Sequence, residues 1–190
     1  MIENQANLER HRVALLIVDV QEKLAASMGN ERLAQLERNI GILTLAACEF
    51  GLPVVLSEQY PKGLGKTLES LESGLSSVKT VHRLEKTAFS VCGDSGFGEI
   101  AKTVARDQWL VVGMETHVCV YQTARDLVGQ GGDVHVVADA VCSRTEENWK
   151  IGMKLCRRAG AVHTSTEAVV FDLLGDASGS SFKTLSRAIR

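Results

Sequence analysis

Several features that would point to a function class are missing from this 190-residue sequence. There is no run of five or more like charges, and 21 Lys and Arg against 23 Asp and Glu leave a formal net charge of −2. That balance gives no footprint for nucleic acid or for a membrane surface. Long apolar runs are missing too. The stretch 13–18 is far short of the roughly 20 residues that cross a bilayer. The opening residues 1–13 are polar and charged, without the apolar core and small-residue cleavage site of a secretion signal. No two of the five cysteines form a C-x-x-C pair, and five is an odd number. Free thiols in a reducing, cytoplasmic compartment are the expectation. Gly93, Gly96 and Gly98 do not spell G-x-G-x-x-G, so they read as a flexible loop and not a dinucleotide site.

What is there is a chain 45% hydrophobic, enough for a large core. Short apolar, β-branched runs recur at 13–18, 53–57, 79–82, 109–112, 134–137 and 161–164. Continuous rather than alternating apolar runs suit strands buried on both faces. Between the first two runs, Leu33, Leu36, Ile40, Leu43 and Ala47 fall three and four residues apart. They make one apolar helix face, which stops near Gly51-Leu52-Pro53. The spacing predicts further helices over 97–106, 118–129 and 147–159. Strand and helix alternating through long crossovers imply a single-domain, doubly wound α/β fold, a Rossmann-like three-layer sandwich around a parallel sheet. No repeat or linker divides residues 1–190. Segment 59–74 reads as the loosest region. The Gly- and Ser-rich tail 175–190 reads as a wrap over the surface or over a neighbouring subunit. Cys48, Cys142 and Cys156 read as small buried hydrophobes, and Cys92 precedes the glycine-rich loop.

In an open parallel sheet, ligands bind outside the carboxyl ends of the strands. Asp19 ends the first strand, Ser57 to Tyr60 end the second, Lys86 follows the third and Gly113 to Cys119 follow the fourth. An acid, a base and a thiol thus reach one rim from three strand ends. A thiol needs help to become a thiolate. Cys119, opening a helix, would feel the positive end of the helix dipole, and a nearby Lys86 would lower its pKa further. Asp19 could accept the thiol proton and return it to a leaving group. Backbone N–H groups of the same turn would face a developing oxyanion. A buried structural cysteine is the alternative, and the residues alone leave both open.

These residues lie in stretches that resemble the isochorismatase-like cysteine hydrolases. The matching pieces are Leu15-Leu-Ile-Val-Asp-Val-Gln21, His82-Arg-Leu-Glu-Lys-Thr-Ala-Phe-Ser90, Val111-Val-Gly-Met-Glu-Thr-His-Val-Cys119 and Val134-His-Val-Val-Ala-Asp-Ala140, followed by Ser143-Arg144. Order and spacing agree over residues 12–173. Ser57-Glu-Gln-Tyr-Pro-Lys-Gly-Leu-Gly65 is similar to the second-strand loop of the isochorismatase domain-containing hydrolases. The resemblance implies a six-stranded parallel sheet and a triad of Asp19, Lys86 and Cys119. It also implies an oxyanion hole from the N–H groups of Glu115 and Cys119, with a cis peptide between Met114 and Glu115. Family reactions run through a thioester or related adduct on small amides, carbamoyl compounds or nicotinamide, in homo-oligomers. Nicotinamidases of the family bind a metal through an Asp-x-His motif and a further His. The loop Ser57-Glu58-Gln59-Tyr60-Pro61 holds no histidine, so neither a metal nor another cofactor is expected.

Around this trio, Gln21 either orients substrate or caps a surface helix. Gln59 and Tyr60 either contact substrate or pack the loop, and Phe89 either walls the pocket or joins the core. His82 reads as a packed or edge residue and His117 as a loop or capping residue. Arg144 either closes the rim, pairs with a carboxylate, or is simply solvated. The expected function is a metal-independent cysteine hydrolase acting on a small amide, carbamoyl or ester-like molecule. Its alternatives are nicotinamidase or isochorismatase activity proper, a non-catalytic binding protein that keeps the fold, and a thiol redox protein.

Overall fold

Six strands form the middle of the protein, and their composition explains their place. The computed structural model describes residues 7–190, so residues 1–6 of the polar opening segment lie outside the described residues. In chain order the elements are β1 (Val13–Val18), α1 (Glu22–Ala25), α2 (Asn30–Phe50), β2 (Val54–Gln59), α3 (Pro61–Leu64), α4 (Glu69–Leu75), β3 (Val81–Lys86) and α5 (Ser95–Val104). There follow β4 (Gln108–Met114), a π turn (Thr116–Val120), α6 (Tyr121–Gly129), β5 (Asp133–Cys142), α7 (Glu146–Arg158), β6 (Val162–Thr164), α8 (Thr166–Leu174) and α9 (Ser180–Ile189). The strands lie in the order β3-β2-β1-β4-β5-β6, and every pair is parallel.

The central strand β1 is buried at all six positions, as a run without alternation requires. Val13, Leu15 and Ile17 face a core shared with α2, α4 and α8. Ala14, Leu16 and Val18 face a second core shared with α5, α6 and α7. The sheet therefore has helices on both faces, and the chain is the expected α/β sandwich. Leu36, Ile40, Leu43 and Ala47 of α2 pack on the first core, with Leu33 partly buried beside them. The opposite face of α2 is covered as well. Ile42 and Ala46 meet Val170 and Leu174 of α8 and Leu185 of α9. The tail 175–190 is thus a wrap built as an amphipathic helix. Each such buried leucine stabilises the fold by about 1.5–3 kcal/mol.

Several expectations need correction. Strand β3 runs to Lys86, so Lys86 is its last residue and not a residue beyond it. As an edge strand it alternates exposed Arg83 and Glu85 with buried Leu84 and Lys86, and an apolar-run criterion loses it after His82. Segment 59–74 is ordered into α3 and α4. Leu71 and Leu75, four residues apart, bury one face of α4, and Glu58 pins the segment by accepting from the Thr67 N–H and hydroxyl, both at 2.7 Å. Cys48 is exposed, with its thiol donating to Ser77 O at 3.1 Å. It lies on a face of α2 that neither core uses. Cys142 and Cys156 are buried as expected, and Cys92 is partly so.

Candidate active site

Two strands part company beside the site. Val18 pairs with Gly113 at the ends of β1 and β4, where the two halves of the sheet diverge. Gly113 has φ +115°, and a Cβ there would lie 2.1 Å from Val18 O. Only glycine lets the two backbones approach this closely. The crevice at such a switch point is where doubly wound sheets bind ligands.

Asp19 follows β1 at φ 51°, a left-handed conformation that aspartate tolerates better than most residues. Its carboxylate is fully buried. Oδ1 accepts from Ser57 Oγ at 2.7 Å and Oδ2 from Lys86 Nζ at 2.6 Å. Lys86 is buried as deeply. Its Nζ also donates toward Gln59 Oε1 (3.2 Å), Ala88 O and Phe89 O (both 3.1 Å). The Cys119 thiol lies in the π turn and donates to Gln59 Oε1 at 3.4 Å. One amide oxygen therefore touches both the lysine and the thiol. The Asp19 charge also acts on the thiol through space.

Electrostatics here differ from the helix-dipole expectation. Burial pushes the Cys119 thiol up to about 12, and the Asp19 charge adds to the rise. Lys86 and the Glu115 backbone N–H work in the opposite direction but do not prevail. Cys119 lies near the end of the π turn, buried against the second core, where desolvation outweighs a helix N-terminus. Burial likewise raises Asp19, against the pull of Lys86 and Ser57. A carboxylate raised in this way is a stronger proton acceptor. Cys142 and Cys156 are also pushed up to about 12. Acidity does not single out Cys119; its neighbours do.

The turn itself is held from several sides. The Met114–Glu115 peptide is cis. Glu115 O accepts from Val118 N (3.0 Å) and Val120 N (3.2 Å), which closes the turn. The Glu115 side chain is buried and paired with Arg144. Burial pushes its carboxyl up, but the Arg144 side chain and backbone N–H outweigh that and hold it below the usual range. His117 Nδ1 lies 3.0 Å from Ser143 Oγ. Gly152 of α7 faces the turn from the far side, where a Cβ would lie 2.7 Å from both His117 N and Thr116 C.

The remaining sequence-level candidates divide. Gln59 sits in the cluster. Gln21 is buried, but its amide is fully occupied by backbone: Oε1 accepts from Gln59 N (2.7 Å) and Nε2 donates to Gln59 O (3.1 Å) and Gly65 O (2.7 Å). It braces the loop and is neither a surface cap nor free to bind substrate. Tyr60 is 55% exposed and Phe89 54%. Phe89 is therefore no core residue. Arg144 is paired rather than simply solvated. Sequence reasoning assigned no role to Ser57 or Gly152. A lone glycine inside the helical pattern of α7 was the available signal for Gly152. Among the described residues, no group of three or more His, Cys, Asp or Glu is placed to hold a metal ion. A cleft of about 500 Å³ opens between α2, β5 and α7 and contains none of the clustered residues.

Comparison with known proteins gives this geometry a family. The Isochorismatase domain model matches residues 13–168. Isochorismatase family protein 1B of Dictyostelium discoideum is 33% identical over 187 residues, 97% of this chain and 89% of that protein. The secreted isochorismatase effector Isc1 of Phytophthora sojae is 34% identical over 181 residues, 95% of this chain and 85% of that protein. Among solved structures, the MAR1 ribonuclease of Caenorhabditis elegans superposes with a TM-score of 0.88 at 34% identity, covering 96% of this chain and 92% of that one. The YcaC gene product of Escherichia coli, described as an octameric hydrolase of unknown specificity, shares the fold. Its TM-score is 0.85 at 22% identity, covering 96% of this chain and 90% of that one. The family match runs from the first residue of β1 into α8 and so spans the sheet, the π turn and every clustered residue; the chain belongs to the isochorismatase family of hydrolases.

Proposed function

We propose that the protein is a cysteine hydrolase in which Cys119 attacks the carbonyl carbon of a small amide, carbamoyl compound or ester, with Asp19 as proton carrier and Lys86 as its fixed cation. The observation that carries this reading is a buried chain of contacts: Asp19 pairs with Lys86, Lys86 meets Gln59, and the Gln59 amide oxygen accepts from the Cys119 thiol. A thiol held near 12 is neutral at physiological pH, so attack needs a base at hand. Asp19 takes the proton as sulfur bonds to carbon. The carbonyl electrons move onto oxygen, where the N–H groups of Glu115 and Cys119 receive them. Collapse of that intermediate expels the amine or alcohol, which takes the proton from Asp19. Water, deprotonated by Asp19, then cleaves the thioester and restores the thiol. Gln59 faces the reacting atoms. Tyr60 and Phe89, exposed beside the backbone groups that meet Lys86, supply apolar walls at the mouth.

The net charge of −2 supports a small uncharged substrate over a polyanion; the ribonuclease name belongs to the C. elegans protein. Five free thiols support a reducing, cytoplasmic setting, although the Phytophthora relative is named as secreted. Association of identical copies, suggested by the YcaC octamer, belongs to the same proposal and is read by sedimentation velocity. The test is intact mass spectrometry of the protein mixed with a panel of small amides and esters. An acyl adduct that maps to Cys119 and disappears in Cys119→Ala is expected. Hydrolysis that proceeds unchanged in Cys119→Ala would refute covalent catalysis.

A further inference from the structure

Arg144 lies at the edge of the site, and its side chain is 57% exposed while that of its partner Glu115 is only 4% exposed. Such a pairing is unusual for a solvated arginine. The guanidinium grips the carboxylate with Nη2 to Oε1 at 2.5 Å and Nε to Oε2 at 3.0 Å. The Arg144 backbone N–H donates to Oε2 as well, at 3.0 Å. Fork-to-carboxylate contacts of this kind fix direction as well as distance. The residue they fix is the one whose backbone governs the nucleophile turn. The Glu115 carbonyl closes the turn by accepting from Val118 N and Val120 N, the residues on either side of Cys119. The preceding residue, Ser143, reaches His117 in the middle of the same turn. Two adjacent residues beyond β5 thus hold two points of a turn that carries the thiol.

We infer that Arg144 is a positioning residue: by gripping the Glu115 side chain it aims the Glu115 backbone N–H at the point where a substrate carbonyl oxygen becomes an oxyanion. This rests on the proposed role of Cys119 and adds to it a residue that touches neither substrate nor sulfur. The consequence is selective. Acylation by p-nitrophenyl acetate passes through an oxyanion. Sulfur bonds to the carbonyl carbon, the oxygen takes the electron pair, p-nitrophenolate leaves and Asp19 accepts the thiol proton. Alkylation by iodoacetamide replaces iodide at a saturated carbon and forms no oxyanion. An aiming defect therefore separates the two reactions, whereas a collapsed turn or a lost thiol slows both.

The experiment measures both rates at Cys119, by p-nitrophenolate release and by peptide mass spectrometry, in wild type, Arg144→Ala, Arg144→Lys and the double variant Arg144→Ala with Glu115→Gln. Arg144→Ala should slow acylation about 10- to 100-fold, less than or equal to the loss of a whole oxyanion donor. Its alkylation should stay within about threefold of wild type. Arg144→Lys keeps the charge without the fork and should fall between. The double variant removes the stranded buried carboxylate and should recover part of the acylation rate. Equal slowing of both reactions in Arg144→Ala, or no slowing of either, would overturn the inference. Failure of wild type to acylate at Cys119 would instead remove the proposed function itself, and shows before any variant is made.

Discussion

Lys86 sits where no water reaches it, and so does the Asp19 carboxylate it touches. Burying both charges is tolerable only because each has its partner and further hydrogen bonds. Removing one partner is therefore far worse than removing both. Lys86→Ala should lower stability by about 3–5 kcal/mol, because Asp19 is left charged and unpaired. Lys86→Met combined with Asp19→Asn should cost clearly less than that single change. Urea unfolding midpoints of the three proteins, compared at unchanged slope, decide it. Lys86→Ala within about 1 kcal/mol of wild type would mean that the pair behaves like a surface bridge. Residue chemistry also shows which features are legible in the sequence. Asp19, Lys86 and Cys119 were legible because strand ends bring them to one rim. Their acidities were not, because desolvation depends on what covers the π turn. The occupation of Gln21 by backbone was equally hidden, since both of its partners, Gln59 and Gly65, lie about forty residues away.

Elements set the precision of the site. Strands β1, β4 and the first part of β5 were readable because burial on both faces leaves an unbroken apolar run. Strand β3 was only half readable, since an edge strand carries Arg83 and Glu85 on its open side. The predicted helix 118–129 merged the last residues of the π turn, Val118 to Val120, with α6, because only the second bond to Glu115 O shows the extra residue. Helix α9 was masked by its serines and by the glycines just before it, although Leu185 at its centre is fully buried. Contact between α7 and the π turn gives an element-scale prediction. Glycine inside a helix is ordinarily a weakness, and Gly→Ala adds about 0.4–1 kcal/mol. Gly98 in α5, with open space around it, should behave that way. Gly152→Ala should instead destabilise by about 1–3 kcal/mol, because its Cβ would collide with turn backbone. It should also slow Cys119 acylation. Thermal unfolding of the two variants side by side is the check, and equal stabilisation of both would show that α7 does not press on the turn.

Across the whole molecule, the sheet order β3-β2-β1-β4-β5-β6 explains how one chain brings the residues of the proposed chemistry together. The half β1-β2-β3 contributes Asp19, Gln59 and Lys86. The half β4-β5-β6 contributes the π turn that carries Cys119 and its Arg144 grip. They meet only at the switch between β1 and β4, which Gly113 keeps narrow. Alternating strands and helices made that architecture legible in the sequence. The braces within each half were not, since Ser57 and Arg144 act over separations that no local pattern records. The central claim is that this meeting point activates a buried, neutral thiol through Asp19, and the pH dependence of Cys119 acylation by p-nitrophenyl acetate tests it most directly. A base works only when ionised. Wild-type acylation should therefore be present at neutral pH, stay nearly level above it, and fall as pH drops through the raised ionisation of Asp19. Asp19→Asn leaves only the thiolate route, which should climb about tenfold per pH unit toward the thiol's own ionisation, still raised by burial but relieved of the Asp19 charge. Two profiles of that shape, crossing only at high pH, are predicted; superimposed profiles for wild type and Asp19→Asn would contradict the account.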